Sequence, residues 1–326
     1  MALTNRLQYY RRIFSAYLGP GKSQLTFWHE TPTANPRLVS NRLGEYYMLF
    51  AEKADYTGIH DDAGIPLLDY RGKIGPQYNP IAIAQWGLAN FNRYVSARDA
   101  TAEKKFLSAS DWLRDNLERN SANIPVWQHH FDWDYRDTLR APWYSGLAQG
   151  QGISLLLRAA AASGKNDYLD AARSAFESLS RTSAEGGVLF VDEFQDVWIE
   201  EYIVTPPTHI LNGFIWAVWG VYDYSLTFPT SQARDLFNRC VETLTKNLAR
   251  YDNGFWSLYE QSGTRLPMVA SRFYHQLHIV QLRVMHQLTN LAVFAQTADR
   301  WEEYSRNRLN RARALAHKSI FKLCYY

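Results

Sequence analysis

The chain has 326 residues, 46% of them hydrophobic and 21% charged, which is the composition of a soluble globular protein with a large core. The net charge of +3 and the absence of a long basic block exclude a dedicated nucleic-acid surface, and the two widely spaced cysteines exclude a disulfide framework. Because the N-terminus shows no signal-peptide pattern and the most apolar run is too short to cross a bilayer, we expect no membrane span and a cytoplasmic protein.

In chain order, the first predicted unit is an N-terminal extension over residues 1–70, which is helical at its start and irregular afterwards. It contains the string GPGKS, which lacks the first glycine of a phosphate-binding loop at the required spacing, so we discard phosphate binding. The second unit, residues 71–326, is predicted to be one helical domain that carries the functional site.

Four segments of this second unit are apolar on nearly every face, which is typical of buried helices. Each begins at or just after a proline or an aromatic residue, and each carries an amide side chain near its middle. These markers recur at nearly equal intervals and are Gln85, Gln149, Asn212 and Gln281. Self-similarity at such a period predicts stacked helical hairpins.

An amphipathic helix follows each apolar one, over residues 101–120, 166–180, 231–250 and 298–318. Alternating buried and amphipathic helices predict a mainly α fold, an incomplete (α/α) toroid of about four helical hairpins. The connections into the inner helices are rich in aromatic and β-branched residues bounded by Gly or Pro, which indicates short β-hairpins. All of them would emerge on one rim, where we expect the site.

Metal and nucleophile motifs are weak on this rim. His275 and His278 lie three apart at the start of an inner helix, but no HExxH motif or cysteine accompanies them. We therefore interpret them as hydrogen-bond donors to a polar ligand or to the neighbouring loop, and we predict no metal site. Ser145 lacks the flanking glycine pattern of a nucleophile elbow.

Acidic residues are abundant on the rim, and many α/α toroids are glycoside hydrolases that use two carboxylates. The acids are Asp132, Asp134, Glu193, Asp196, Glu200 and Glu201. For any one of them a solvated loop position is the more frequent explanation. In an extended segment Glu200 and Glu201 point to opposite faces, so at most one of the two faces a cleft.

Tyrosines are the unusual feature of the rim. Four of them precede an inner helix by a few residues and a fifth lies in the last connection: Tyr78, Tyr144, Tyr202, Tyr274 and Tyr259. Such a ring can be a packing belt. It can also be an acid/base array, because a phenol gives or takes a proton when its neighbours lower its pKa from about 10.

Proton abstraction beside a carboxylate also needs groups that neutralise the substrate's carboxylate as charge develops. Candidate side-chain donors are Arg265, Arg272 and His275. A further candidate is the predicted helix N-terminus at Pro206–Pro207, with Thr205 as its cap.

Several strings resemble the C-terminal domain of the D-glucuronyl C5-epimerases, which convert glucuronate to iduronate within heparan sulfate or heparosan. They run in order from Gly75 to Leu282 and include PWYSGLAQGQGISLLLRA, EEYIVTPPTHILNGFIWAVWGVYD and YHQLHIVQL. The animal enzymes carry a β-rich N-terminal region for most of which residues 1–70 are too few. The resemblance implies an anionic, glucuronate-containing polysaccharide as substrate, no cofactor, and a homodimer.

The resemblance implies Glu201 and Tyr202 as the glutamate–tyrosine pair of the reaction centre, with Tyr259 and Tyr274 as its later tyrosines; it leaves Glu200 as a solvated neighbour. The family has an arginine shortly after the equivalent of Tyr259, in the string Y-D-L-R, whereas this chain reads YEQSGTR. The candidate substrate-binding residues are Gln77, Tyr78, Tyr144, Gln149, Asn212, Arg265, Arg272, His275 and His278.

The implied reaction is a two-base C5-epimerisation, in which one group removes the C5 proton and a second returns a proton to the opposite face. We expect Glu201 and Tyr274 on the two faces, with Tyr202 and Tyr259 as supporting donors. Three alternatives stay open: a uronate polysaccharide lyase, which shares the proton abstraction, a carboxylate-pair glycoside hydrolase, and a non-catalytic glycan-binding protein.

Overall fold

The computed structural model of the protein describes residues 27–28, 30–135 and 138–325. The predicted helical start of the chain and the GPGKS string lie outside the described residues. The α-helices of the described part are α1 (Ala51–Ala54), α2 (Pro80–Ala97), α3 (Ala100–Asp115), α4 (Gly146–Ser163), α5 (Asn166–Ser180), α6 (Leu211–Thr227), α7 (Ser231–Asn247), α8 (Arg272–Thr289), α9 (Ala292–Arg306) and α10 (Arg308–Tyr325).

The helices form two layers. The inner helices α2, α4, α6 and α8 pack on one another in sequence, and each packs on the outer helix that follows it. The inner helices bury residues on nearly every face, whereas α5 and α7 bury a single stripe. The prediction of a mainly α, incomplete (α/α) toroid of four hairpins is confirmed.

Short antiparallel β-pairs lie before α2 and in the α3–α4 and α5–α6 connections, as predicted. The α7–α8 connection was also predicted to be a β-hairpin, but its described residues form only the isolated bridges Asp252–Ser257 and Leu258–Val269. Their strands are β1 (Leu68–Asp69), β2 (Pro76–Gln77), β3 (Glu118–Arg119), β4 (Pro125–Val126), β5 (Gln128–His129), β6 (Trp133–Asp134), β7 (Thr138–Leu139), β8 (Trp143–Tyr144), β9 (Leu189–Val191) and β10 (Val197–Ile199). The pairs are β1–β2, β3–β4, β5–β8, β6–β7 and β9–β10. Because every connection of this kind leaves the same end of the hairpins, they share one rim.

Small residues and amides hold the inner helices together. A Cβ at Gly150 of α4 would lie 2.6 Å from the Cα of Ala217 in α6, so only glycine permits this close approach of the two helices. Gln85 of α2 donates to Gln151 of α4 at 3.0 Å, and Gln281 of α8 donates to the carbonyl of Asn212 in α6 at 2.9 Å. Buried amides therefore link neighbouring inner helices.

The start of α6 differs from the prediction. The helix begins at Leu211, Thr205 is exposed, and the N-cap residue Ile210 makes no side-chain cap. The preceding chain is extended because it pairs with the last connection: the Leu211 amide donates to the Tyr259 carbonyl and the Gln261 amide to that of Thr208. The helix start predicted at Pro206–Pro207, and its use as an anion donor, were wrong.

The prediction of one outer helix over residues 298–318 was also wrong, because parts of two helices, α9 and α10, occupy this range. Asn307 leaves the helical conformation between α9 and α10, with φ of −75° and ψ of 120°. Its side-chain oxygen accepts hydrogen bonds from the amides of Leu309 and Asn310 at 2.9 and 3.4 Å. Asn307 therefore caps α10, a role that asparagine fills well.

The segment before α1 packs into the same core as the inner helices, through Tyr46, Tyr47 and Phe50. Deep in this core Arg158 of α4 forms an ion pair with Asp223 of α6, and both side chains are at most 1% exposed. Among the described residues we find no helix with the length and apolarity that crossing a membrane requires.

Candidate active site

Three rim segments bring the predicted catalytic residues together. Glu201 and Tyr202 follow β10, and Tyr259 lies in the connection between α7 and α8. Tyr274 stands in the first turn of α8, where the hydroxyl of Ser271 accepts its amide at 3.3 Å. We call Glu201, Tyr202, Tyr259 and Tyr274 the tyrosine–glutamate cluster. Its first two residues lie 57 to 73 positions before the other two, so the cluster depends on the stacking of successive hairpins.

Glu201 is buried against the first turn of α6, with 5% of its surface exposed. A Cβ at Gly213 would lie 2.1 Å from Oε2 of Glu201, so the glycine makes room for the carboxyl group. The hydroxyl of Tyr202 forms a hydrogen bond with the carboxyl, while Oε2 has no hydrogen-bond partner among the described residues. Glu201 thus has one oxygen ready for a ligand.

The environment of Glu201 changes its ionisation. Burial raises the pKa of Glu201 to about 8, the hydrogen bond from Tyr202 lowers it in part, and the neighbouring Glu260 and Glu200 raise it further. A carboxyl with this pKa exchanges its proton near neutral pH, which is what a general acid or base needs. Perturbed carboxyls of this kind are enriched at functional sites.

Tyr259 and Tyr274 lie next to each other, with ring centroids 4.8 Å apart in an edge-to-face arrangement. Burial, and then the charge of Glu201, raise the pKa of Tyr259 well above its usual value near 10. Tyr259 therefore keeps its proton at neutral pH and is suited to donating a hydrogen bond. Because the charge of Glu201 acts on Tyr259, the segment after β10 and the α7–α8 connection lie close together.

The prediction that Glu200 is solvated was wrong. Glu200 is 2% exposed, and its carboxyl accepts hydrogen bonds from the ring and the amide of His209 at 2.5 and 3.1 Å. The His209 ring stacks on Trp198 at 4.3 Å. Glu200 points away from Glu201, as strand alternation predicts, but the segment before α6 covers it.

Two histidines predicted to bind substrate, His275 and His278, are buried in the core. Nδ1 of His275 lies 2.8 Å from the Ser257 hydroxyl and its Nε2 lies 2.9 Å from the Trp301 carbonyl. His278 is fully buried and also contacts Ser257, at 2.9 Å. Burial lowers the pKa of both imidazoles, to about 4 for His275, so they stay neutral. Ser257 of the neighbouring loop therefore contacts both rings, while Nε2 of His278 has no hydrogen-bond partner among the described residues.

The two amide side chains predicted to bind substrate, Gln149 and Asn212, have different surroundings. Gln149 is buried and bound to the backbone of Trp127 and Ser145, so it has a structural role that leaves no group for substrate. Asn212 is buried next to Gly213, and its Oδ1 has no partner among the described residues. Asn212 therefore stays a candidate for binding substrate beside Glu201.

The remaining candidates lie around the cluster and not in it. Gln77 donates to the Ile74 carbonyl at 2.7 Å, and the Tyr144 hydroxyl donates to the Gly186 carbonyl at 2.9 Å. The Tyr78 hydroxyl donates to Asp61 at 2.6 Å and is 39% exposed. Any part that these side chains play in binding a polymer would be outside the reaction centre.

The two arginines predicted to bind the substrate carboxylate do not lie at the cluster, whereas a lysine that the sequence analysis missed does. Arg265 and Arg272 are both exposed. Lys318 of α10 instead reaches the cluster: its Nζ lies 5.5 Å from the ring centre of Tyr259 and donates to the Val269 carbonyl at 2.9 Å. Burial lowers the pKa of Lys318 well below its usual value. In the sequence it looked like one of the solvated charges of an outer helix.

Two further residues that the sequence did not indicate adjoin the cluster. The Tyr135 ring lies 4.5 Å from that of Tyr202, and the Tyr135 hydroxyl donates to Oε2 of Glu260. Glu260 is 3% exposed. No local pattern reports a contact between residues 125 positions apart, although Glu260 directly follows a predicted catalytic tyrosine.

Comparisons with known proteins identify the family of the chain. The family model of the D-glucuronyl C5-epimerase C-terminus matches residues 120–303, which run from the end of β3 into α9. D-glucuronyl C5-epimerase of Caenorhabditis elegans is 31% identical over 227 residues, which are 65% of this chain and 36% of that protein. The chain thus spans about a third of the length of this relative.

Other similarities are weaker. An uncharacterized protein of Methanocaldococcus jannaschii is 24% identical over 71% of this chain and 78% of its own length. The crystal structure of unsaturated glucuronyl hydrolase from Bacillus sp. GL1 matches with a TM-score of 0.44 and 15% identity, over 72% of this chain and 61% of that chain. The family match covers more than half of this chain and includes every residue of the cluster. The chain therefore belongs to the D-glucuronyl C5-epimerase C-terminus family.

Proposed function

We propose that the protein epimerises D-glucuronate to L-iduronate residues at C5 within a heparosan-like polysaccharide. The observation that carries the proposal is the state of Glu201: it is buried, bonded to Tyr202, and has a pKa of about 8 beside two further tyrosines. Family membership supports the same reaction. The chemistry as proposed needs no redox cofactor.

The proposed reaction uses the two sides of the sugar ring. Glu201 in its ionised form takes the C5 proton, and the electron pair of the broken C–H bond delocalises into the uronate carboxyl group. Tyr274 then gives its phenolic proton to C5 from the opposite face. Each turnover leaves Glu201 protonated and Tyr274 ionised, and the reverse reaction or exchange with water restores both.

Charge that develops on the uronate carboxylate needs a nearby donor. Among the three cations considered, Lys318 is supported by its contact with Tyr259, whereas Arg265 and Arg272 are exposed. An anion bound beside Lys318 would favour its charged form and offset the effect of burial on its pKa. We therefore assign Lys318, with Tyr259 as a hydrogen-bond donor, to the substrate carboxylate, while Tyr202 keeps its hydrogen bond to Glu201.

The test is incubation of the protein with heparosan in D₂O, followed by NMR of the product and size exclusion of the chains. The proposal expects deuterium at C5 with unchanged chain length. An ultraviolet absorbance from unsaturated uronate would assign a lyase instead, new reducing ends would assign a hydrolase, and binding without deuterium would assign a glycan-binding protein. A homodimer and a cytoplasmic location stay predictions.

A further inference from the structure

Glu260 is a buried acid that the proposed reaction leaves unused. Its Oε2 accepts the hydroxyl of Tyr135, and its Oε1 is buried without a hydrogen-bond partner among the described residues. The ammonium group of Lys318 acts on Glu260 through its charge, yet donates its hydrogen bond to the Val269 carbonyl. The carboxyl is therefore held by one phenol.

A buried carboxyl held in this way lowers the stability of the folded protein. A buried carboxylate destabilises the folded state unless a cation and full hydrogen bonding offset the loss of water. Hydrogen bonding to Oε2 alone does not meet this need. Because packing and stability do not explain Glu260, its position beside a perturbed carboxyl points to a functional role.

The geometry connects Glu260 to Glu201 through two tyrosines. Tyr202 bonds to Glu201, Tyr135 bonds to Glu260, and the two rings lie 4.5 Å apart at a tilt of 45°. Tyr259, which precedes Glu260 in the chain, is affected by the charges of both Glu201 and Tyr135. Two carboxyl–phenol pairs thus meet in one buried site, and the charge of Glu260 acts on Glu201.

We propose that Glu201 and Glu260 are a coupled carboxyl pair that holds one proton between them, with Tyr202 and Tyr135 as the phenols that join the two carboxyls. Two carboxyl groups in one dry site do not both ionise readily, so the charge on one favours the proton on the other. Glu260 is then a positioning residue, which acts through Glu201 and sets the pH at which Glu201 can accept a proton. The catalytic consequence rests on the proposed function.

Other charged or titratable groups face the same pair and must be considered. Those that act on the two carboxyls or on the phenols between them are Glu200, Tyr251, Tyr274 and Lys318. All of them remain in a Glu260 variant. A change in the titration of Glu201 on removal of Glu260 is therefore due to Glu260 itself.

The test is a ¹³C NMR titration of the glutamate carboxyl carbons in the wild type, Glu260→Gln and Tyr135→Phe. The Glu201 signal is assigned by its loss in Glu201→Gln. In Glu260→Gln the midpoint of Glu201 should fall from about 8 by roughly one unit or more, which is about a tenfold larger ionised fraction at pH 6.5. An unchanged midpoint would overturn the proposal.

Tyr135→Phe provides a second variant that keeps the ring contact with Tyr202. Without the phenol, Oε2 of Glu260 loses its hydrogen bond, and Glu260 then competes with Glu201 for the shared proton. The midpoint of Glu201 should then also move to lower pH. If it stays in place in a folded Tyr135→Phe protein, Tyr135 does not hold the pair and the proposal fails, whether or not Glu260→Gln folds.

A matched control exists between two outer helices. The Tyr168 hydroxyl donates to Asp111 at 2.7 Å, which is the same kind of phenol–carboxyl bond away from the cluster. Asp111→Asn should leave the midpoint of Glu201 unchanged. A comparable shift in this control would mean that the titration reports a general disturbance of the fold, and it would contradict the coupling.

The titration needs no turnover, so the two proposals can fail separately. Deuterium exchange at C5 measured on the same proteins gives the second readout. If the wild type exchanges deuterium at C5 but the midpoint of Glu201 does not shift in Glu260→Gln, the epimerase proposal stands and the coupled-pair proposal fails. If the midpoint of Glu201 shifts but no glucuronate polymer takes up deuterium at C5, the coupled-pair proposal stands and the epimerase proposal fails.

Discussion

Two of the buried acids of the toroid, Asp223 and Glu201, are held in opposite ways. Asp223, deep in the core, contacts both terminal nitrogens of Arg158 at 2.5 and 3.2 Å and accepts the Tyr47 hydroxyl at 2.5 Å. Glu201, at the rim, has no cation and one oxygen without a partner among the described residues. The first carboxyl joins α4, α6 and the N-terminal segment, whereas the second is left able to exchange a proton.

The largest effect should come from breaking the core pair. Arg158→Met leaves Asp223 buried without its cation, so the free energy of unfolding should fall by about 3–5 kcal/mol in urea titration. Exchange at C5 per folded molecule should stay near the wild-type value. Its loss at a temperature where the variant is folded would contradict the separation between core and site.

Ionisation of Glu201, unlike that of the paired Asp223, should lower the free energy of unfolding as the pH rises. Because the pKa of Glu201 is raised from 4.5 to about 8, the contribution of this group to stability is fully present below pH 4.5 and is lost as pH rises through 8. The loss is roughly 5 kcal/mol. Glu201→Gln should flatten this part of the urea-midpoint profile and be more stable than the wild type at pH 9.

The same pKa predicts the pH dependence of the reaction. If ionised Glu201 is the base, kcat/KM for C5 exchange should rise with pH and level off above about 8. A profile that is flat between pH 6 and 9 would remove Glu201 from the role of base.

Tyr274→Phe should sharpen the comparison within the site. Loss of the phenol that returns the proton should lower kcat for C5 exchange by roughly 100-fold, while the Phe ring keeps its contact with Tyr259. Tyr78→Phe provides the control, because Tyr78 lies outside the cluster and is 39% exposed. Comparable losses in both variants would show that tyrosines of the whole rim, and not the cluster, carry the reaction.

The smallest predicted effect concerns Lys318. Lys318→Met keeps most of the side-chain volume and removes the cation beside Tyr259. We expect KM for the polymer to rise about tenfold with a smaller change in kcat, since a charge-assisted contact is worth roughly 1.5–3 kcal/mol. Arg265→Met should have little effect, and the reverse order of the two variants would reassign the carboxylate-binding cation.

Much of the architecture could be predicted because it depends on local patterns. Helices that are apolar all round belong inside, and their even spacing predicted four stacked hairpins with a shared rim. Resemblance then selected Glu201, Tyr202, Tyr259 and Tyr274, and the structure places these residues together.

What could not be predicted depends on contacts between distant segments. The start of α6 is set by pairing of residues 208–211 with residues 259–261, which overrides the helix-start signal of Pro206–Pro207. Glu200 is covered by His209, and Glu260 meets a phenol 125 positions away. Lys318 reads as an ordinary charge on an amphipathic helix until α10 is packed against the rim.

The most direct test compares the two adjacent glutamates by C5 deuterium incorporation into heparosan at pH 8. Glu201→Gln should lose about 100-fold or more of the exchange rate, as expected when a general base is removed. Glu200→Gln, whose amide can keep a hydrogen bond to His209, should stay within about threefold of the wild type in a folded protein. Equal losses in the two variants, or full activity of Glu201→Gln, would contradict the assignment of proton transfer to the unpaired carboxyl.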